Sequence, residues 1–149
     1  MVYKTILVPF DGSIPSKNAL KEAVELAKQS KGTIFLLYVV QEIVLPPWSG
    51  RATTHKTMRE YEKEMYYAAK ERASKLLEEN AKKYDSVSIE TQTLYGNTAE
   101  KILASIKNNK ANLVVIGTTS RTGISKIITL GSVARKVAEK STCPVLLVH

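Results

Sequence analysis

The residues best able to do chemistry in this chain are glycines and small hydroxyl residues gathered in two loops. One is Gly117-Thr118-Thr119-Ser120-Arg121-Thr122-Gly123-Ile124-Ser125-Lys126, running on to Leu130-Gly131-Ser132-Val133. It follows an apolar run, Leu113-Val114-Val115-Ile116, and ends where a helix is expected to begin. A glycine loop leading into a helix start exposes backbone N–H groups with no partner of their own, and the helix dipole adds to their pull on an anion. The chemistry this predicts is phosphate binding. Gly131 and Ser132 would hold the phosphate through backbone N–H groups and the serine hydroxyl, with Arg121 and Lys126 within reach of its oxygens. Ser132 can also simply cap the helix, and a helix start can do both at once. Most basic residues in loops are merely solvated.

The second loop is Asp11-Gly12-Ser13, after the apolar run Thr5-Ile6-Leu7-Val8 and Pro9-Phe10. Asp11 can accept hydrogen bonds from a ribose or a base, or it can bond its own backbone in the turn; position alone leaves both open. Gly117 can let a ligand approach the backbone or can be a plain turn residue. Other chemistries find no residues. No Gly-Lys-Ser/Thr closes a Walker loop, no Gly-x-Gly-x-x-Gly opens a dinucleotide site, and no Gly-x-Ser-x-Gly forms a nucleophile elbow. His55, His149 and Cys143 make no metal set, and no pair of groups forms a catalytic acid and base.

The elements that must position these loops follow from the apolar pattern. Thr5–Val8, Thr33–Val40, Leu113–Ile116 and Pro144–Val148 are apolar on both faces, as buried strands are. Val87, Ile89, Thr91 and Thr93 alternate with polar residues, which places that strand near a sheet edge. Between the strands lie helices. Ala19, Leu20, Ala23, Val24 and Ala27 share one face of the first, with Lys31-Gly32 as its stop. A long helix is expected from about Thr54 to Tyr84, with Met58, Tyr61, Met65, Ala69, Arg72 and Leu76 as its stripe and its first turns projecting. Asn97 and Glu100 resemble a capping box before the helix of Ala99, Ile102, Leu103 and Ile106. A last helix runs from Ser132 to about Lys140. Pro46-Pro47-Trp48 breaks regular structure between positions 41 and 53.

Strands apolar on both faces and separated by helices imply a single α/β domain over residues 1–149. Its expected form is a doubly wound, five-stranded parallel sheet in the order 3-2-1-4-5, with helices on both faces. In that order the Asp11 and Gly117 loops flank the point where strand order reverses, so the two signals name one cleft.

The chain has 149 residues, 22 Lys and Arg against 14 Asp and Glu, and a formal charge of +8. The basic residues are spread along helices among glutamates. That pattern describes a solvated surface and argues against a nucleic-acid stripe, while still helping anionic ligands to arrive. No apolar stretch is long enough to span a membrane. A single cysteine and an N-terminus that runs directly into a strand point to the cytoplasm.

Several stretches resemble the universal stress protein family. They are Ile6-Leu7-Val8-Pro9-Phe10-Asp11-Gly12-Ser13, Gly96-Asn97-Thr98-Ala99-Glu100-Lys101-Ile102, the loop through Gly131-Ser132-Val133, and the tail Cys143-Pro144-Val145-Leu146-Leu147-Val148. The resemblance covers essentially the whole chain. It implies the same parallel sheet, commonly a homodimer paired through the last strand, and in a subset of the family the binding of ATP or a related adenine nucleotide. In that subset the loop reads Gly, two residues, Gly, nine residues, then Gly and Ser or Thr. Gly117 matches the first glycine, and Gly131 and Ser132 match the last pair. Ser120 stands at the second glycine, and ten residues separate it from Gly131. Serine keeps its N–H as a phosphate donor.

By this resemblance, Pro9, Asp11 and the backbone of Val39 lie by the base and ribose with Gly117 beside them. Ser120, Arg121, Gly131, Ser132 and Val133 surround the phosphates. The function implied is a stress-response switch that binds ATP, with or without Mg2+, or another adenine mononucleotide, with at most slow hydrolysis. The alternative is a nucleotide-free dimeric module that engages a protein partner through the long helix and the Pro46–Trp48 loop.

Overall fold

Strand β1 (Thr5–Pro9) sends Ile6 and Val8 into one apolar cluster and Leu7 into another, and all three are fully buried. A strand clothed on both faces needs helices on both. The computed structural model describes residues 2–42, 55–118 and 130–149, with side chains in the long helix described from residue 59. Along the chain follow α1 (Ile14–Ser30), β2 (Thr33–Val40), α2 (His55–Ala81), β3 (Ser88–Tyr95), α3 (Thr98–Asn108), β4 (Leu113–Gly117), α4 (Ser132–Lys140) and β5 (Val145–Val148). The sheet order is β3-β2-β1-β4-β5 and every pairing is parallel, as the strand pattern requires. Ile6 stands in register with Ile34 on one side and Leu113 on the other.

One face of the sheet, carrying Ile6, Val8, Ile34 and Leu36, is covered by α1 and by Leu77 of α2. The other, carrying Leu7, Leu37 and Val114, is covered by Ile102 and Ile106 of α3 and by Ala134 and Val137 of α4. β3 lies at an edge, as its alternation predicts, and none of its residues is fully buried. Among the described residues, no helix is long and apolar enough to cross a membrane.

Two local readings need correction, and a third gains a reason. The stop of α1 at Lys31-Gly32 is as expected, with Lys31 left-handed (φ 53°) and the Gly32 amide donating to the Ala27 carbonyl at 3.0 Å, but a glycine is needed at position 32 for another reason. A Cβ on Gly32 would lie 2.8 Å from the carbonyl oxygen of Tyr3 and 3.0 Å from that of Lys4. The residues leading into β1 pass too close for any side chain there.

The stripe of α2 is turned by about one residue from the expected one. Ala73, Leu77 and Asn80 are buried, whereas Tyr61, Met65 and Arg72 are exposed. Its 27 residues extend about 40 Å, and residues 59–65 are exposed, so the aromatic and methionine side chains there do not mark the core. Asn80 is tolerated inside because its amide donates to the carbonyl of Leu76 at 2.8 Å.

The capping box before α3 is half made. Asn97 Oδ1 accepts from the Glu100 amide at 3.1 Å, while the Glu100 carboxylate turns toward Lys136, 3.9 Å away.

Candidate functional site

β1 and β4 are neighbours whose next helices go to opposite faces, α1 to one and α4 to the other. Their carboxyl ends therefore part, which is where open parallel sheets leave a crevice. The crevice here is a cleft of about 630 Å³, within the range of small-molecule sites. Pro9, Asp11, Val39, Gly117, Gly131, Ser132 and Val133 all line it. Ser120, Arg121 and Lys126, along with the Pro46–Trp48 segment, lie outside the described residues.

The wall formed by β2 is set by where β1 stops. The amide of Phe10 donates to the carbonyl of Leu37 at 2.7 Å. Within a parallel ladder, alternate residues turn their N–H and C=O to the same neighbour. Val40 faces β3, because its carbonyl accepts from Gly96 at 3.0 Å. Val39 must then face the β1 side. Among the described residues no backbone group of the Asp11 turn bonds to it. A donor and an acceptor thus stand side by side on the cleft wall, roughly in the plane of the sheet.

Asp11 sits opposite, at the start of α1. Its Oδ1 accepts from the Ser13 amide at 2.9 Å, so the local turn bond allowed by the sequence is present. Partial burial pushes the carboxyl up. Hydrogen bonding in the turn, chiefly from Ser13, outweighs that and holds it below its ordinary value of 3.8. The group is a carboxylate at neutral pH, with acceptor capacity beyond the one turn bond. Ser13 also caps α1, accepting from the Ser16 amide at 3.3 Å.

Gly117 ends β4 against the first turn of α1. An added Cβ would lie 2.6 Å from the carbonyl carbon of Pro15 and 2.8 Å from the amide nitrogen of Ser16. The glycine lets two backbones touch, which brings the Asp11 turn and the end of β4 together at the cleft. Thr118, next in the chain, is buried; its amide donates to Val148 at 2.7 Å and its hydroxyl lies 3.1 Å from His149 Nδ1.

At the far side, α4 begins without a side-chain cap. Gly131 occupies the N-cap position, Ser132 is the first helical residue, and among the described residues no side chain caps the exposed amides. Capping by Ser132 is therefore not what the structure has. The amides of Ser132 and Val133 remain as donors at the positive end of the helix dipole. A second groove of about 450 Å³ shares Gln41, Thr98, Ser132 and Val133 with the cleft and reaches Lys136.

The sequence pattern missed the wall given by α2, which contributes Ala69, Arg72, Ala73 and Leu76. Their spacing was visible, because Ala69, Arg72 and Leu76 share a helix stripe, but they read as core.

The sequence profile of the universal stress protein family matches residues 2–149. The chain belongs to the universal stress protein family. The universal stress protein MJ0531 of Methanocaldococcus jannaschii is 36% identical over 149 residues, covering 99% of this chain and 82% of that protein. The solved structure of MJ0577, from the same organism, superposes with a TM-score of 0.80 at 25% identity, covering 99% of this chain and 96% of that one. Two further structures share the universal stress protein fold. One, in complex with cAMP, has a TM-score of 0.65 at 24% identity and covers 100% of this chain and 98% of its own. The other, from Archaeoglobus fulgidus in complex with dAMP, has a TM-score of 0.58 at 22% identity, with 100% of each chain covered.

Proposed function

We propose that this universal stress protein binds an adenine mononucleotide, ATP foremost, in the cleft between the ends of β1 and β4. Its occupancy would be the signal the protein gives in a stress response. The observation that carries this reading is the open backbone of Val39, a donor and an acceptor facing a cleft that ends on the uncapped start of α4. Adenine fits that edge: its ring nitrogen accepts from the Val39 N–H while its amino group donates to the Val39 carbonyl. The carboxylate of Asp11 accepts from ribose hydroxyls. The phosphates lie on the amides of Ser132 and Val133 beside Gly131, with Ser120 and Arg121 completing the shell from the loop. Pro9 and Gly117 keep the floor free of side-chain bulk. Mg2+ would arrive with ATP, bound to its phosphates.

The universal stress proteins solved with cAMP and dAMP support an adenine nucleotide in this fold. The net charge of +8 favours the arrival of an anion.

The same reading includes a homodimer through β5. The carbonyl of Pro144 accepts from Val114 at 3.0 Å and that of Val148 from Thr118 at 2.7 Å. Those residues face β4, so the intervening Val145 and Leu147 turn their N–H and C=O to the open edge. Leu146 and Leu147 are 39% and 38% exposed beside it, an apolar strand edge of the kind a second copy covers.

Titration calorimetry on nucleotide-stripped protein tests the proposal, using AMP, ADP and ATP with magnesium. Saturable binding of any of them at one site per chain is expected. No binding up to millimolar concentration would contradict it. The account would then pass to a nucleotide-free interaction module, which the exposed Tyr61, Met65 and Tyr67 of α2 favour.

A further inference from the structure

Helix α2 faces the cleft with Ala69, Arg72, Ala73 and Leu76, which at spacings of three and four form one stripe. Arg72 is the charged member of that stripe, and two alanines flank it. Its height in the cleft is fixed by the residues around it. Ala73 and Leu77 are buried against the sheet, and Leu76 lies next to Gly12, where an added Cβ would come within 3.1 Å of Leu76 Cδ2. A helix joining parallel strands runs antiparallel to them, so the turn before Leu76 lies nearer the mouth of the cleft. Arg72 occupies that turn, on the side of Asp11 and Val39 and across the crevice from α4.

A ring that bonds Val39 at its edge takes the place β1 has vacated and lies roughly in the plane of the sheet. Its two faces then look toward the two helix layers, and α2 belongs to one of them. Arg72 forms no salt bridge among the described residues. The carboxylate of Asp11 accepts from the Ser13 amide instead. A guanidinium is planar and weakly hydrated, and it gains from lying over an aromatic face, whereas the small alanines beside it leave the slot a ring requires.

From this arrangement we infer that Arg72 binds the nucleobase by stacking its guanidinium over the face that looks toward α2, so that the site selects for an aromatic base as well as for phosphate. The inference rests on the nucleotide reading above and names a residue that reading does not contain.

The test is a titration of stripped wild type, Arg72→Met and Arg72→Lys with adenosine, AMP and ATP, with thermal melting as the check on folding. Arg72 is exposed, so both variants are expected to melt with the wild type. Arg72→Met should weaken all three ligands by the same factor, about tenfold. Arg72→Lys keeps the charge without the plane and should remain several-fold weaker than wild type. Unchanged adenosine affinity in Arg72→Met, with the wild type binding normally, would overturn the stacking role alone. So would a loss that grows from adenosine to ATP, which would make Arg72 a phosphate contact. A wild type that binds none of the three would overturn the nucleotide reading and this inference with it.

Discussion

Phe10 gives its amide to the carbonyl of Leu37 at 2.7 Å, and among the described residues no later backbone group of the Asp11 turn bonds β2. Two residues on, Val39 therefore presents an unpaired N–H and C=O to the cleft. A polar pair on a strand otherwise fully laddered is costly to bury without a partner, so this notch is suited to a flat ligand with complementary edges.

Replacing Val39 with proline removes that donor and no ladder bond. The preceding Tyr38 is in extended backbone, which proline favours. Val39→Pro should fold, with an unchanged far-ultraviolet circular dichroism spectrum, and should bind AMP at least about tenfold more weakly. Equal affinity in the two proteins would show that the base does not use this edge.

Gly117→Ala is expected to be destabilising out of proportion to one methyl group. The new Cβ would meet Pro15 and Ser16 backbone atoms at 2.6 to 2.8 Å, and a backbone cannot rotate away as a side chain can. Overpacking of this kind costs about 1–3 kcal/mol. Urea denaturation should report that loss. A stability equal to wild type would mean that α1 can shift without cost.

Much of this architecture can be read from residue types. Ile6, Leu7 and Val8 in succession announce a strand buried on both faces, and the alternation through Ile89, Thr91 and Thr93 announces an edge. Pro9, Asp11, Gly117 and Gly131 follow strand ends or precede helices, so topology alone gathers them. What the pattern could not reveal depends on distances between segments far apart in sequence. Gly32 belongs to the helix stop but must be glycine because the chain entering β1 passes close by, and Gly117 looks like a turn but is a contact with Pro15. The register of α2 was hidden because its apolar side chains Tyr61 and Met65 lie beyond the sheet, while its buried face is built on Ala73, Leu77 and Asn80. Arg72 consequently reads as a member of the core stripe.

The Asp11 turn gives stability a dependence on pH with a definite sign. The folded-state pKa lies below the ordinary 3.8, so folding favours the carboxylate form. That contribution is complete above the ordinary value and is lost as pH falls through the lowered one. The melting temperature of wild type should exceed that of Asp11→Ala by most near pH 7, and the gap should narrow below about pH 4. A gap that widens on acidification would contradict the hydrogen-bonding pattern around Ser13.

The dimer prediction concerns the outer edge of β5. Val145 points its N–H away from β4, so Val145→Pro should leave the ladder to β4 intact while removing a donor to the second copy. Light scattering should find the wild type at twice the chain mass and the variant shifted toward the monomer. A variant with the wild-type mass and an intact fold would count against pairing through this strand.

The central claim is that an adenine ring sits on the backbone of Val39 while its phosphates sit on the start of α4. Amide-resolved nuclear magnetic resonance tests both ends at once. On titration of isotope-labelled, nucleotide-stripped protein with AMP, the amides of Val39, Ser132 and Val133 should shift together and saturate with one dissociation constant. Val2, at the start of the chain, should stay in place. Unmoved Val39, Ser132 and Val133 amides at millimolar AMP would contradict the account.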